Sequence, residues 1–497
     1  MSKIYIGWSE VSITPDKKVS LVGQFAERIS QYVEKPITAT AFAVSSDDEQ
    51  MIMVSCDLVS VATNLVTAVR ERFKNNTVGI IPEKIILNAI HTHTGPMYPR
   101  EKFSVSAGAT RTLLEAFLKD GRKYIANQKI TKSSEIITPE ETFTFLVDRI
   151  SQAVSEAWQN RQESSFVNAF GRAPVGMCRR VTYNDGSAQM WGETNQATFV
   201  SLEGGSDTGI ELLYVFDKQN KLTGIYANLA CPAQCVQHRH FISPDFWGEV
   251  RYLLRERFGS DICILAQCSA AGDQAPIDLI RWVEPESDVN DPNIVRKYPV
   301  KRKADPSMFD LKGMKLTGRR IAREIISVYE DGLEELQSDV RFVHNTEIVK
   351  LPIRKVTLVQ GLAAQKAIND YLRDKKGDVD FYDLANLQVH LGILNRLEFQ
   401  NSNSIYGAEV HIVRLGSIVM ATNPFELFLE YGNRIKARSR AEQTFIVQLA
   451  CGCEDYLPTK KAEEGGHYSA FVSSGLVGHE GGDLLVANTL EEINKLF

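Results

Sequence analysis

Apolar positions in this chain follow two different periods. Short apolar runs, some of them continuous, are typical of β-strands, and the continuous ones predict strands buried on both faces. The predicted strands are TAFAVSS (40–46), MIMVSCD (51–57), KIILNAI (84–90), ELLYVFD (211–217), GIYANLA (224–230), ICILAQ (262–267), EVHIVRL (409–415), SIVMAT (417–422) and TFIVQLA (444–450). Amphipathic stretches with helical spacing cover 61–75, 110–126, 141–160, 246–258, 312–332, 361–373, 383–398 and 426–440. This mixture predicts an α/β or mixed α+β fold with large sheets covered by helices.

Several predicted strands end at residues that can bind a metal or transfer a proton. These residues are Asp57, His91, His93, Cys231, Glu426 and Tyr456. In sheets covered by helices, ligand sites form beyond the carboxyl ends of the strands, where loops bring side chains to a crevice. We therefore expect these residues to converge on one polar site at the strand ends.

The stretch HTHTGP contains the most specific local signal. His91 and His93 leave a buried strand on the same side of an extended chain, and a Gly-Pro break follows at once. Two imidazoles at this spacing can share one metal ion, or one can bind the ion while the other transfers protons. His238 and His240 form a second pair of this kind in a polar loop, and they are a rival metal site.

The other candidates also have ordinary structural explanations. Cys231 before a proline is typical of a small buried residue. Glu426 would be favoured by the helix dipole at the start of the predicted helix 426–440, and Tyr456 is typical of a packed aromatic residue. The polar stretch 283–310 predicts a long loop. The glycines of EEGGHY (463–468) and HEGGDLL (479–485) predict turns.

Composition narrows the class of protein. The chain of 497 residues has 43% hydrophobic and 24% charged residues and a formal net charge of -6, which is typical of a large globular protein and argues against nucleic acid as a partner. No apolar run is long enough to span a membrane, and the N-terminus lacks the pattern of a signal peptide. We therefore expect a cytoplasmic protein whose eight cysteines are thiols.

Several of these motifs resemble those of a known protein family. The chain resembles the N-terminal catalytic domain of the neutral (alkaline, non-lysosomal) ceramidases, nearly from end to end. HTHTGP is similar to that family's His-Thr-His-Ser-Gly-Pro signature, and IGWSEVSITP, VSCDL, FGRAP, ISPDFWGEVRYLL, NPFELFLEYGNRIK and DYLPTKKAEEGGHY resemble further family segments. The resemblance implies a single catalytic domain over residues 1–497, without the C-terminal β-sandwich domain of the secreted enzymes.

The resemblance also implies a zinc-dependent amidase and roles for individual residues. His91, Glu426 and Tyr456 would ligate Zn²⁺, while His93, Arg172 and Tyr468 would surround the substrate carbonyl. Cys231 stands where the family has a histidine, and a cysteine thiolate is a competent zinc ligand. Asp57 is a candidate acceptor that would fix a histidine tautomer. Ala275 stands where the family has a serine, so one hydroxyl near the scissile amide is missing.

These observations predict metal-assisted hydrolysis of an amide, or an ester, in a small soluble molecule such as a sugar derivative. His93 is the predicted proton shuttle. Two alternatives stay open at this point. One is a metal enzyme of the TIM-barrel amidohydrolase type, and the other is a non-catalytic metal-containing binding protein. Neither the substrate nor the assembly state, including a homo-oligomer, follows from the sequence.

Overall fold

The computed structural model describes residues 2–24, 27–101, 107–119, 121–125, 133–281 and 308–497 of the protein. The predicted loop over 283–310 lies almost wholly outside these residues. The described helices include none that is long and apolar enough to cross a lipid bilayer.

The strands within the described residues account for all nine predicted ones. In chain order they are β1 Ser2–Lys3, β2 Tyr5–Ser12, β3 Ser20–Leu21, β4 Arg28–Ile29, β5 Tyr32–Val33, β6 Thr38–Ser45, β7 Gln50–Cys56, β8 Ile85–Ala89, β9 Gln162–Arg172, β10 Met177–Cys178, β11 Arg180–Tyr183, β12 Ala188–Met190, β13 Phe199–Leu202, β14 Gly209–Asp217, β15 Leu222–Leu229, β16 Phe241–Ile242, β17 Cys263–Cys268, β18 Gln274–Ala275, β19 Asp339–Val340, β20 Phe342–Pro352, β21 Ile405–Leu415, β22 Ile418–Thr422, β23 Glu426–Leu427, β24 Gln443–Val447 and β25 Tyr456–Leu457.

The helices confirm most of the predicted amphipathic stretches. They are α1 Thr63–Glu71, α2 Ala107–Phe117, α3 Pro139–Gln159, α4 Phe246–Phe258, α5 Asp310–Glu330, α6 Leu358–Asp374, α7 Phe381–Phe399, α8 Leu429–Arg438, α9 Lys460–Gly465 and α10 His479–Leu496, with short 3-10 helices over Pro82–Lys84 and Val472–Ser474.

Two predictions near the C-terminus were wrong. Glu426 does not begin a helix, because it lies in the short strand β23 and α8 starts only at Leu429. HEGGDLL is not a turn, because it is the first part of α10. Its glycines serve close packing instead: a Cβ at Gly482 would overlap the ring of Tyr431, and one at Gly481 would overlap Val477.

The largest sheet has eight strands and bends into two halves. Its order is β17-β15-β14-β9-β2-β6-β7-β8, and the halves are joined where β9 meets β2 over only two residue pairs. The inner faces of the halves then pack on each other. Phe42 on β6 lies 6.0 Å from Tyr226 on β15, measured between ring centroids. The described strands thus form a bent mixed sheet rather than a closed parallel barrel, which rules out the TIM-barrel alternative.

A second sheet of four strands, in the order β20-β21-β22-β24, lies beside the first. The two sheets meet at the carboxyl ends of their parallel pairs, β7–β8, β15–β17 and β22–β24. After β24, Gln448 N donates to Cys268 O at the end of β17, and Cys451 N donates to Leu87 O on β8. Three strand ends from different parts of the chain therefore meet in one place, and the candidate site lies there.

Candidate functional site

A cavity of about 270 Å³ opens where these strand ends meet. Its lining includes five of the eight residues predicted for the site. The lining residues are Val22, Gly23, Gln24, Val59, Ser60, His91, His93, Met97, Arg100, Arg179, Met190, Trp191, Gln234, Gln237, Glu426, Leu449, Cys453, Asp455, Tyr456 and Tyr468. His91, His93, Glu426, Tyr456 and Tyr468 are the predicted residues among them, so five predicted side chains in all share one cavity.

His91 follows β8 in a left-handed backbone conformation, with φ 69°. Its Nδ1 lies 2.7 Å from the carbonyl oxygen of Val59, so that nitrogen is the one placed to donate a proton. Fixing one ring nitrogen in this way leaves Nε2 with a lone pair, which is how metal-binding histidines are oriented in proteins. His91 is therefore preset to present Nε2 to the cavity.

Glu426 and Tyr456 are direct partners in the two-stranded parallel ladder β23–β25. Glu426 Oε2 lies 3.4 Å from His91 Nε2, and the Tyr456 hydroxyl hydrogen-bonds to Glu426. Burial raises the pKa of the Glu426 carboxyl, but His91, Arg179 and Tyr456 together lower it below its usual value. The ladder thus places the Tyr456 phenol beside the carboxylate that faces His91 Nε2.

The spacing of these donors fits a zinc ion. Zinc ligands at about 2.0–2.1 Å in tetrahedral geometry lie roughly 3.3 Å from one another, close to the observed 3.4 Å between His91 Nε2 and Glu426 Oε2. His91, Glu426 and Tyr456 would provide the three protein ligands of a catalytic site, with one position left for water or substrate.

His93 lies beside His91 rather than with the carboxylate. Its Nε2 is 3.2 Å from His91 Nε2 and 2.9 Å from Gln234 Nε2. Burial lowers the pKa of His93 well below its usual range, and the nearby His91, Arg28 and Arg179 lower it further. The ring is therefore a neutral imidazole at neutral pH.

Arg179 is the main cavity residue that the sequence analysis missed. Its guanidinium is buried and donates to Gln234 Oε1 at 3.1 Å, Gly272 O at 2.9 Å and the Tyr456 hydroxyl at 3.3 Å. The next residue, Arg180, points away and pairs with Glu203 at 2.8 Å. In CRRVTY nothing distinguishes the two arginines by pattern. Arg179 lies between β10 and β11 and Arg180 begins β11, and only the fold decides which of the two meets the cavity.

Tyr468 also lines the cavity and lies beside Tyr456. Its ring centroid lies 5.5 Å from that of Tyr456. Burial raises the pKa of Tyr468 to about 12, so the hydroxyl keeps its proton and can donate it in a hydrogen bond. His467 and Ser469 on either side have φ 71° and 72°, conformations that non-glycine residues rarely adopt.

Backbone strain is concentrated around the cavity. Ten non-glycine residues have positive φ in the described chain, and His91, Trp191, Leu449 and Asp455 among them line the cavity. Such conformations cost about 1–3 kcal/mol each and persist where surrounding structure enforces them, commonly at functional sites.

Two predicted residues lie outside the cavity and have other partners. The guanidinium of Arg172 is exposed and packs over the ring of Phe170, 4.9 Å from its centroid. Asp57 accepts two hydrogen bonds from Arg251, at 2.7 and 2.9 Å, and one from Thr38 N at 2.8 Å. The structure therefore gives Asp57 a role between β7 and α4 and brings it to neither histidine.

Cys231 is also absent from the cavity lining. It lies in an apolar cluster with Ile90, and its Sγ is 3.5 Å from the carbonyl oxygen of Val175. Burial raises the pKa of this thiol well above its usual range. Gln234, three residues on, is the member of this segment that reaches His93. Ala275 is fully buried in another apolar cluster.

The rival pair His238 and His240 does not form a joint site. His238 stacks on Phe309, with ring centroids 5.3 Å apart, and its Nε2 is 3.4 Å from Asp310 Oδ1. His240 is exposed. Neither residue lines the cavity that holds His91.

A separate group in the described residues has metal-like composition. Glu409, His411 and Cys451 have ligand atoms within 4.8 Å of one another. Arg70 already occupies their centre: its Nη2 lies 2.7 Å from Glu409 Oε1, 3.5 Å from His411 Nε2 and 3.6 Å from Cys451 Sγ. A guanidinium there supplies the positive charge, so this group does not fit a metal ion.

No protein-family model matches the chain, and no curated protein matches it. Solved structures do. The chain is similar to the neutral ceramidase from Pseudomonas aeruginosa, with a TM-score of 0.67 and 17% identity over 100% of this chain and 75% of that one. A ceramidase complexed with C2 gives the same values. The protein thus has a neutral-ceramidase-like fold.

Proposed function

We propose that the protein is a zinc-dependent hydrolase that cleaves an amide bond, or an ester bond, of a small soluble substrate. The observation that carries the proposal is the meeting of His91 Nε2, Glu426 and Tyr456 in a cavity that also holds His93, Arg179 and Tyr468. The neutral-ceramidase-like fold supports it, because the solved structures with this fold are ceramidases. In this proposal residues 1–497 act as one catalytic domain.

His91, Glu426 and Tyr456 are the residues that would hold the zinc ion. A bound zinc ion would supply a Lewis acid for the scissile carbonyl and lower the pKa of water from about 15.7 to about 7. Cys231 is left out of the ligand set, because its sulfur faces the Val175 carbonyl in an apolar cluster.

The remaining cavity residues would act on the substrate. His93, a neutral imidazole at the edge of the cavity, would take a proton from the attacking water and return it to the leaving group. Gln234 contacts both His93 and Arg179, and it would hold the imidazole ring and the guanidinium in fixed positions relative to each other. Arg179 and Tyr468 would donate hydrogen bonds to the oxygen that becomes negative, a contribution of roughly 3 kcal/mol for a good donor.

A metal-and-substrate experiment tests the proposal. Protein purified without added metal is analysed for zinc, and then assayed on a panel of soluble amides, esters and glycoconjugates with and without a chelator. We expect zinc near one ion per chain and turnover that the chelator abolishes and zinc restores. Turnover that persists in chelated, zinc-free protein would overturn metal dependence.

A matched pair of variants separates the enzyme from a non-catalytic binding protein. Glu426→Gln should lose both zinc and turnover, whereas Glu430→Gln, an exposed glutamate in the first turn of α8, should keep both. Zinc that is bound through Glu426 without turnover of any compound in the panel would favour the non-catalytic alternative.

A further inference from the structure

One cavity residue has no role in the proposed reaction. Gln24 lines the cavity, and neither its Nε2 nor its Oε1 has a hydrogen-bond partner among the described residues, although both atoms are buried. Buried side-chain amides in folded proteins are nearly always paired, and an unpaired one costs stability. An unpaired amide in the wall of a cavity is therefore placed to pair with a ligand.

The backbone that carries Gln24 is held firmly against His93. Gly23 has φ +99°, and a Cβ on it would overlap the His93 ring, so only glycine fits there. Arg28 Nη2 donates to both Val22 O at 2.8 Å and His93 O at 2.6 Å. The Gln24 side chain thus leaves a fixed segment directly beside the predicted proton shuttle, within reach of a substrate bound there.

The charges of the lining favour an uncharged ligand. In the cavity lining, the positive charges of Arg100 and Arg179 are offset by the negative charges of Glu426 and Asp455. An anion could accept a hydrogen bond from Gln24 Nε2 but has no donor for Gln24 Oε1. A hydroxyl group both donates and accepts, so a compact group with neighbouring hydroxyls satisfies the whole amide.

The size of the cavity also favours a small hydroxylated ligand. The cavity of about 270 Å³ is slightly smaller than typical ligand sites, which span about 300–1,000 Å³. A single hydroxylated ring with a short acyl group is closer to this scale than a long hydrocarbon chain.

We propose that Gln24 determines specificity by pairing with a substrate hydroxyl, and that the substrate is a short-chain N-acyl derivative of an uncharged, hydroxylated amine of the amino-sugar class. This inference rests on the proposed hydrolase function, and its test is arranged so that the two can fail separately.

Two amides with the same scissile bond test the specificity. N-acetylglucosamine carries ring hydroxyls, and N-cyclohexylacetamide presents a six-membered ring without them. The wild-type protein should show the higher kcat/KM for N-acetylglucosamine. Gln24→Leu should lower kcat/KM for N-acetylglucosamine by about 10- to 100-fold, the effect of one or two lost hydrogen bonds. The factor by which it lowers kcat/KM for N-cyclohexylacetamide should be at least ten times smaller.

Two controls guard against a folding defect. Gln219→Leu changes an exposed glutamine outside the cavity and should leave both amides with wild-type kinetics. Leucine nearly matches glutamine in size and removes an unpaired polar group, so the Tm of Gln24→Leu should equal or exceed that of wild type. A residue with a merely structural hydrogen bond would lower the Tm when replaced.

Calorimetric binding of N-acetylglucosamine separates the inference from the function. Binding that weakens by about tenfold or more in Gln24→Leu, without any hydrolysis by wild type, would leave the inference standing and overturn the proposed hydrolase. Hydrolysis of both amides at similar rates, with no selective effect of Gln24→Leu, would overturn the inference and leave the hydrolase. Neither binding nor hydrolysis of N-acetylglucosamine would also overturn the inference.

Discussion

At the scale of single residues, His91 and His93 differ in what holds their rings. His91 is fixed by the Val59 carbonyl and faces Glu426, whereas His93 faces His91 and Gln234. His91→Ala should therefore lose zinc and turnover together. His93→Ala should keep most of the zinc and lose about 10²–10⁴ in kcat, the usual contribution of a general acid or base. Elemental analysis of the purified variants and steady-state kinetics measure the two effects.

The exposed His240 supplies the control for this pair. His240→Ala should retain zinc and turnover, since the residue does not line the cavity. Equal zinc loss in His91→Ala and His93→Ala would move His93 into the ligand set. Zinc loss in His240→Ala would instead revive the rival metal site of the His238–His240 loop.

The two arginines Arg172 and Arg179 make a second prediction at this scale. Arg179→Met should lower kcat/KM by about 10²–10³, because the variant removes a buried donor aimed at the cavity. Arg172→Met, at an exposed position on β9, should have little effect on the same assay. A large loss in Arg172→Met with a small one in Arg179→Met would restore the assignment suggested by the family resemblance.

At the scale of elements, the ion pair of Asp57 and Arg251 joins the end of β7 to α4. Both side chains are almost completely buried. Asp57→Asn should lower the free energy of unfolding by about 3–5 kcal/mol, because it leaves the guanidinium buried without its countercharge. Urea unfolding followed by circular dichroism measures this change.

Glu330→Gln provides the comparison, because Glu330 at the end of α5 forms an ion pair with Arg257 of the same helix α4 at a half-exposed position. Its cost should stay below about 1 kcal/mol. If Asp57→Asn proves as mild as Glu330→Gln but abolishes zinc binding, Asp57 acts on the metal site and not on the joint between β7 and α4.

Asp245 links α4 to the segment that carries Gln234. Its carboxylate accepts Phe246 N at the start of α4 and Val236 N, at 2.7 and 2.9 Å. Burial nevertheless raises the pKa of Asp245 to about 6. An unfolded aspartate has a pKa of about 3.9, so between about pH 4 and 6 the folded protein binds the proton more readily than the unfolded chain.

Stability should consequently rise as the pH falls through this window, by up to about 3 kcal/mol from this group. Asp245→Asn removes the titration, so the free energy of unfolding of wild type relative to the variant should increase between pH 7 and pH 4.5. Guanidinium unfolding at both pH values gives the difference. A constant difference would mean that burial does not raise the pKa of Asp245.

At the scale of the whole molecule, the cavity limits which substrates the fold can take. A volume of about 270 Å³ leaves little room for the hydrocarbon chain of a long-chain ceramide. We expect fatty-acid release from N-palmitoylsphingosine far below turnover of the best soluble substrate, and no tight binding to phosphatidylcholine vesicles in sedimentation assays. The neutral ceramidase from Pseudomonas aeruginosa serves as the positive control for release. Release at a rate comparable with the best soluble substrate would contradict the proposed substrate size.

Local pattern was sufficient for most elements and for part of the site. The nine predicted strands all exist, because continuous apolar runs such as ELLYVFD can satisfy their burial only inside a sheet. His91 and His93 do lie together, with their Nε2 atoms 3.2 Å apart, but the chain there is not extended, because His91 has φ 69°. Where the pattern failed, as in HEGGDLL, glycine was used for close helix packing, and a single sequence does not distinguish that use from a turn.

Tertiary structure decided which polar residues share the cavity. Arg172 and Arg179 carry the same group seven residues apart, yet only Arg179, between β10 and β11, lines the cavity. Asp57 and Cys231 both follow strands, but Asp57 forms an ion pair with a buried arginine and Cys231 packs in an apolar cluster. Strand periodicity states which residues share a face, whereas the partner that each face meets depends on contacts between segments that are distant in the chain. The packing of the two sheets therefore determines which polar residues line the cavity.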